Sequence, residues 1–404
     1  MTKTTTPNNP KPLRLRWPDV AKGISILGVV ILHVSITVPD AELTWLHAVN
    51  VWIDPMRMPL FFLISGLFSV KIFRFTFVEL FSRRLWFFLI PYLVWVSVEL
   101  YAKYTELYWA TGSEKLTWQD LSYHLLFGHN MGWFLHALII FNIALWAMRR
   151  LPGWAIIVLS FTPILFLPWD TQFYFVGKAT MFFPVFVVGA VLRKSILAYA
   201  DNVDTPWTKQ KRTFQPVIIW SFVVAFFTYM VGFAIRRYWD TVDINLTMNW
   251  PLPGRDIIEF GQINLLVRLV EQFLQLPMAI AGAVAIAHIP YIAGFFAFIG
   301  RHTLPIYLGH PIALTVGFQY LRIFTDIDMS IDGPWPWGAT WMWVIVCMFY
   351  AAVGSLMVWS IGRVPVLGWS VNPPRIAGRL RTWKEPMVSG GEQGTGEPPK
   401  NLHR

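Results

Sequence analysis

The sequence predicts an all-α protein, a polytopic membrane bundle of about ten transmembrane helices with both termini on the inner side. Three observations predict it. Hydrophobic residues make up 55% of the 404 and charged residues only 14%, where a soluble domain carries about a quarter charged. Apolar runs recur near the ~20-residue length that crosses a bilayer. Lys and Arg gather on alternate connections, the asymmetry that orients helical membrane proteins. The net charge of +10 is thus spread along membrane-flanking segments, which argues against nucleic acid as a partner. The single cysteine, Cys347, excludes an intrachain disulfide.

Ten spans are expected, at about 17–38, 51–70, 85–102, 133–148, 153–168, 178–192, 214–235, 262–287, 303–322 and 339–361. With the N-terminus inside, most of the 33 basic residues fall on inner segments. These include Lys3, Lys11, Arg14, Arg16 and Lys22, then Lys71, Arg74, Arg83 and Arg84, and the late group from Arg363 to Arg404. The outer loops 39–50, 103–132, 236–260 and 323–338 are acidic and aromatic. Tryptophans such as Trp45, Trp109, Trp169 and Trp335 form an expected interfacial belt there. No outer loop is long enough for an independent enzyme domain, so any chemistry belongs to the bundle or its mouths.

Residues 1–16 read as a basic tail, 17–365 as the membrane domain, and 366–404 as a basic and then disordered Gly/Pro/Glu-rich tail. The basic part of that last segment fits an anionic inner leaflet. The first apolar run lacks a small-residue cleavage site and reads as a retained span. No internal repeat is visible, which disfavours the repeat-built transporter folds.

The first span, WPDVAKGISILGVVILHVSITV, opens with Asp19 and Lys22 and then stays apolar until His33. Eleven residues separate Lys22 from His33, about three helical turns plus 20° and roughly 16 Å of rise. Both side chains therefore share one face, the lysine near a membrane surface and the histidine near mid-bilayer. Lys22 taken alone is an ordinary snorkelling anchor, and His33 alone could serve as a structural hydrogen-bonder. Ionisable groups at membrane depth nevertheless mark function by default. A neutral imidazole there suits a general base that takes a proton from a hydroxyl.

The second span brings Asp54, Arg57 and MPLFFLISG. Arg57 is either an interfacial anchor or a guanidinium facing the bundle, able to orient a carboxylate or an oxyanion. Ser65-Gly66 allows close helix approach. The eighth span carries Asn264, Arg268, Glu271 and Gln275 as one polar stripe. It is either an internally paired Arg268–Glu271 or the lining of a path for a sugar-like acceptor. His310 and His136 read first as structural hydrogen-bonders, with His310 also placed on that path. A haem held between His33 and His310 is disfavoured because no supporting motif accompanies them, and no metal site is expected.

Several of these pieces together resemble the acyltransferase-3 family of integral membrane acyltransferases. Lys22-x10-His33 matches its basic-x10-His pattern, and RMPLFFLISG resembles its second-helix arginine and FF-x-x-SG run. SRRLWFFLIPY (82–92) is similar to the Arg-rich start of its third helix. WFL (133–135) opens the fourth span, and IGRHTLPIYLGHP (299–311) resembles its G-[RK]-x-[ST]-x-x-x-Y-L-x-H segment.

The resemblance implies transfer of an acyl group, commonly acetyl, from a cytoplasmic acyl-CoA to a hydroxyl of an extracytoplasmic glycan or glycolipid. It implies His33 as the catalytic histidine with Lys22 as its paired basic residue, Arg57 as the second-span arginine, and Arg83 and Arg84 as inner-loop arginines. The chemistry of the residues themselves adds Arg57 and Asp19 near substrate or oxyanion, Arg83 and Arg84 as holders of the acyl-CoA phosphates, and Arg268, Glu271 and His310 on an acceptor path. Lysine stands where many members have arginine, so the charge is kept without bidentate anion binding.

Acyl-CoA then acts as donor substrate, with no tightly bound cofactor. Membrane lipids, an envelope acceptor and self-association complete the expected partners, in a cell (inner or plasma) membrane. Family members with an added soluble acyl-transfer domain carry it C-terminally, and the 366–404 segment is too short for one. The other function class compatible with these features is a transporter or flippase for a lipid-linked glycan that transfers no group. The topology itself is testable with reporter fusions. Fusions after Arg150 and after Arg363 should report the inner side, and a fusion within 103–132 the outer side. The reverse pattern would overturn the orientation.

Overall fold

The computed structural model describes residues 15–208, 216–251, 257–325, 327–329 and 333–376. The basic N-terminal residues through Arg14 and the tail from position 377 onward lie outside the described residues. The chain is helical throughout, as expected, and the helices in order are α1 (Trp17–Thr37), α2 (Trp45–Trp52), α3 (Met58–Leu67) and α4 (Phe77–Leu80). There follow α5 (Trp86–Thr111), α6 (Trp118–Phe127), α7 (Trp133–Ala147), α8 (Gly153–Leu159), α9 (Tyr174–Val191) and α10 (Arg193–Thr208). The last are α11 (Pro216–Trp239), α12 (Phe260–Ala287), α13 (Ile292–Arg301), α14 (Thr303–Ala313), α15 (Tyr320–Phe324) and α16 (Thr340–Ile361). A short antiparallel hairpin, Thr247–Asn249 with Ile257–Glu259, joins α11 to α12.

Among the described residues, seven helical segments are long and apolar enough to cross a membrane. They are Trp17–Thr37, Asp54–Arg74, Phe77–Thr111, Tyr174–Val191, Ile219–Trp239, Phe260–Ala287 and Thr340–Ile361, each matching an expected span. The expected spans 133–148 and 153–168 are shorter apolar helices, Trp133–Ala147 and Gly153–Trp169. Pro163 and Pro168 limit the second of these to tight helical turns. The expected 303–322 span is α14, a π-helical stretch over Leu314–Gln319, and α15 in continuous succession.

One element differs from expectation. Residues 292–301, read from sequence as connection, form α13, which packs extensively against α1. Ten residues are too few to register as a span. The small positions of IAGFFAFIGR nevertheless face α1, with Ala293 and Ala297 buried, while Ile292, Phe295 and Phe298 point outward and are exposed.

Helix association in a bilayer depends on close packing, because lipid is as apolar as the side chains. Glycine pairs provide that approach at three crossings. A Cβ on Gly23 would strike the Phe296 backbone, and one on Gly300 the Asp19 backbone, so α1 and α13 meet main chain to main chain. Gly66 and Gly189 do the same for α3 and α9, and Gly309 and Gly354 for α14 and α16. Between them the core is aromatic: Phe62 packs against Phe134, Phe141 and Phe182, the last with ring centroids 4.9 Å apart. Replacing Gly66 by leucine forces α3 away from α9 and should lower the thermal midpoint in detergent by several degrees, an overpacking cost of about 1–3 kcal/mol. An unchanged midpoint would show that the crossing is not a constraint.

Candidate functional site

The stripe read from α1 is present as a single helical face. Lys22, Ile26 and Val29 line one cavity of about 220 Å³, and His33 continues the same face one turn further on. The opposite walls come from α3 (Met58, Phe61, Ser65), Phe68, Arg84, Phe88 of α5, α7 (Phe134, Leu135, Leu138) and α14 (Thr303, Leu304, Tyr307). The cavity is therefore cationic at one end, where Lys22 and Arg84 stand, and apolar and aromatic along its length.

Its far end is defined by Val29, Met58 and Tyr307. Val29 lies four residues before His33, Met58 directly follows Arg57, and Tyr307 lies three residues before His310. The cavity thus runs from two cations toward the level of His33, His310 and Arg57, which do not themselves line it.

In that cluster His33 Nδ1 lies 2.8 Å from His310 Nε2. The ring centroids are 4.9 Å apart and the planes 23° from parallel, the arrangement of two imidazoles meeting edge to edge. His310 is fully buried and its Nδ1 lies 2.7 Å from the Ile306 carbonyl. His33 is half-buried. The 2.8 Å separation is that of a direct hydrogen bond between the rings, shorter than the roughly 4 Å that two nitrogens on one metal keep. No group of three or more metal-ligating side chains occurs among the described residues.

Arg57 is held from two directions. Its aliphatic chain lies against Gly28 of α1, where an added Cβ would come within 2.8 Å of Arg57 Cγ. Its guanidinium is ion-paired with Asp54, three residues earlier. Asp54 also accepts a hydrogen bond from Arg268 Nη2 at 2.8 Å. Arg57 is close enough to His33, Arg268 and Glu271 for each to act on it electrostatically.

The stripe on α12 is thus tied to the second span. Arg268 pairs with Asp54, and Asn264 accepts from Arg236 at 3.1 Å. Glu271 is 4% exposed and lies within electrostatic reach of Arg268 and Arg236.

The remaining expected site residues fall elsewhere. Of the two arginines, only Arg84 faces the cavity. It donates to Ser69 Oγ at 2.9 Å, and its Nε is buried with no hydrogen-bond partner among the described residues. Arg83, on the same π-helical turn (Phe81–Leu85), is turned outward to Glu79 at 3.3 Å and to the Phe75 ring. Asp19 sits in the first turn of α1 with its backbone against Gly300 of α13, about 13 Å of helix rise from the level of Gly28 and Arg57. The structure does not bring Asp19 and Arg57 together. His136 Nε2 meets the Leu126 carbonyl at 3.0 Å, and Cys347 is buried in α16.

A larger apolar crevice of about 560 Å³ lies on the other side of α7, between Ile140, Phe166, Phe173 and Phe183, and none of its lining residues is titratable.

Residues 15–360 match a family model described as an acyltransferase domain. The chain belongs to the acyltransferase-3 family. It is a multi-pass membrane acyltransferase, and the match covers nearly the whole chain, including every site residue named above. No curated protein and no solved structure matches it.

Two features were missed in the sequence. Asp54 was read beside Arg57 but not as the carboxylate shared by Arg57 and Arg268. Glu99 was passed over, although a lone acid inside an apolar span is itself a signal. It is 7% exposed, and its Oε2 has no hydrogen-bond partner among the described residues.

In this acyltransferase, Asp54→Asn removes the charge shared by the buried Arg57 and the partly exposed Arg268. It should cost about 3 kcal/mol in stability and depress activity, with Asp54→Glu recovering part of both. Thermal unfolding and turnover of purified variants check this. Wild-type behaviour of the asparagine variant would show that the carboxylate does not hold Arg57.

Proposed function

We propose that the protein moves an acyl group, acetyl in the simplest case, from a cytoplasmic acyl-CoA to a hydroxyl of an extracytoplasmic envelope glycan or glycolipid. It would do so in the cell (inner) membrane. The observation that carries this reading is the cavity that begins at Lys22 and Arg84 and runs to Val29, Met58 and Tyr307, of which Met58 adjoins Arg57 and Tyr307 precedes His310 by about one helical turn. Family membership supports acyl transfer; the cavity supports the direction and the donor.

A CoA thioester carries anionic phosphates at one end and a long, mostly uncharged pantetheine arm at the other. Lys22 and Arg84 suit the anionic end, and the unpartnered Nε of Arg84 leaves a donor for it. Phe61, Phe88, Phe134 and Tyr307 suit the arm. About 16 Å of helix rise separates Lys22 from His33, so the thioester carbon arrives near the histidine when the charged end is at the lysine.

His33 then takes the proton of the acceptor hydroxyl as its oxygen attacks the thioester carbonyl. The tetrahedral oxyanion is stabilised by the Arg57 guanidinium. Collapse breaks the carbon–sulfur bond, and the departing CoA thiolate takes the proton from the His33 imidazolium. The products are an ester and free CoA-SH, with the base restored. The Asp54, Arg268 and Glu271 groups flank the opposite side of the cluster and suit a hydroxyl-rich acceptor.

Proteoliposomes containing the protein and radiolabelled acetyl-CoA test the reading. Label should pass to envelope glycan or glycolipid with wild type and fall at least 100-fold with His33→Ala. Lys22→Arg should keep most activity, whereas Lys22→Ala should raise the donor KM at least tenfold. Full activity of the His33→Ala variant would overturn the assignment of the base.

A further inference from the structure

The heavy atoms around His310 fix more than its own position. Its Nδ1 lies 2.7 Å from the Ile306 carbonyl, and the Tyr307 carbonyl lies near the same ring. Carbonyls only accept, so Nδ1 carries a proton. Inside a helix the Tyr307 carbonyl would normally be taken by the N–H four residues on. That residue is Pro311, which has no N–H. The proline leaves a carbonyl open inside α14, and a buried carbonyl needs a donor. The Nδ1–H of the preceding histidine, held on the Ile306 carbonyl one residue away, is the donor nearest to hand.

A second proton, on His310 Nε2, would place a charge where no water reaches. Nε2 is therefore an acceptor, and the single proton in the 2.8 Å contact belongs to His33 Nδ1. A neutral His33 protonated at Nδ1 has a bare lone pair at Nε2, on the ring edge that diverges from His310.

We propose that His310 is a positioning residue for His33, and that Pro311 equips it for this. Together they lock His33 as the Nδ1–H tautomer and leave Nε2 to accept the acceptor's proton. The proposal rests on His33 being the base. It also gives His310 a task different from lining an acceptor path. When Nε2 is protonated, the Nδ1–H of the imidazolium donates more strongly to His310, which stabilises the charged intermediate without any carboxylate in the chain of bonds.

His310→Leu keeps much of the volume and removes the acceptor. Its kcat should fall about 10- to 100-fold, the cost of losing an orienting partner, while the donor KM stays within about twofold. His310→Gln offers an amide oxygen at similar reach and should recover at least tenfold of that loss. His310→Asn, too short to reach, should not. Pro311→Ala returns an N–H to the Tyr307 carbonyl and should lower kcat a few-fold by competing with the histidine. The glutamine and asparagine variants decide the matter even if the leucine variant does not fold.

Equal activity of the glutamine and asparagine variants at wild-type thermal midpoint would overturn the positioning role. So would an unchanged kcat in His310→Leu. The two levels separate cleanly. An active His33→Ala enzyme removes the base itself, whereas an inactive His33→Ala with a fully active His310→Leu removes only the positioning.

Discussion

One hydrogen bond, between His33 and His310, constrains the rest of the bundle. It joins the first span to the ninth across 277 residues of sequence. To make it, α1 and α14 must lie side by side with their polar faces in register. Gly23 and Gly300 seat α1 against α13, the helix immediately before α14, and Gly309 seats α14 against α16 at Gly354. A helix displaced by one side chain at either crossing would separate two rings that now stand 2.8 Å apart. The glycine contacts are therefore part of the site as well as of the fold.

Charge is distributed to suit that centre. Lys22 and Arg84 stand at one end of the cavity, the Asp54–Arg57–Arg268 group beside the other, and aromatic residues line the length between. Burying ion pairs costs free energy that a hydrophobic replacement would not. Here Arg57 is 9% exposed and Glu271 4%, and stability alone gives no reason to keep them. A buried guanidinium within electrostatic reach of a half-buried imidazole does have a use where negative charge develops in a transition state. Asp54 makes the arrangement tolerable by serving two arginines at once. Gly28 supplies the space that lets Arg57 lie along α1.

Much of this was legible in the sequence. Span length and composition gave the helical membrane class. The periodicity of a single helix placed Lys22 and His33 on one face, because local geometry depends only on the rise and turn of that helix. What could not be read is what depends on two helices at once. His310 and His33 are far apart in sequence, and nothing local indicates that their rings meet. Likewise, Asp54 and Arg57 are neighbours in any helical turn, but Arg268 joins them only through the packing of α12. Arg83 and Arg84 looked equivalent; the π-helical turn that carries them sends one into the cavity and the other to Glu79. Helix α13 escaped because ten residues fall below the length at which apolar runs are read as spans. Pro311 carries no local signal of its own, and its missing N–H has a role only when the Tyr307 carbonyl is considered in three dimensions.

The central claim concerns where one proton sits, and nitrogen NMR of histidine-labelled protein in lipid bilayers reads that directly. With the His33 resonances assigned by comparison with His33→Ala, Nδ1 should show the shift of a protonated ring nitrogen and Nε2 that of a bare one. Both should change when His310 is replaced by leucine. A protonated Nε2 with a bare Nδ1 in the wild-type protein would contradict the account, because His33 would then face its substrate with a donor in place of a base.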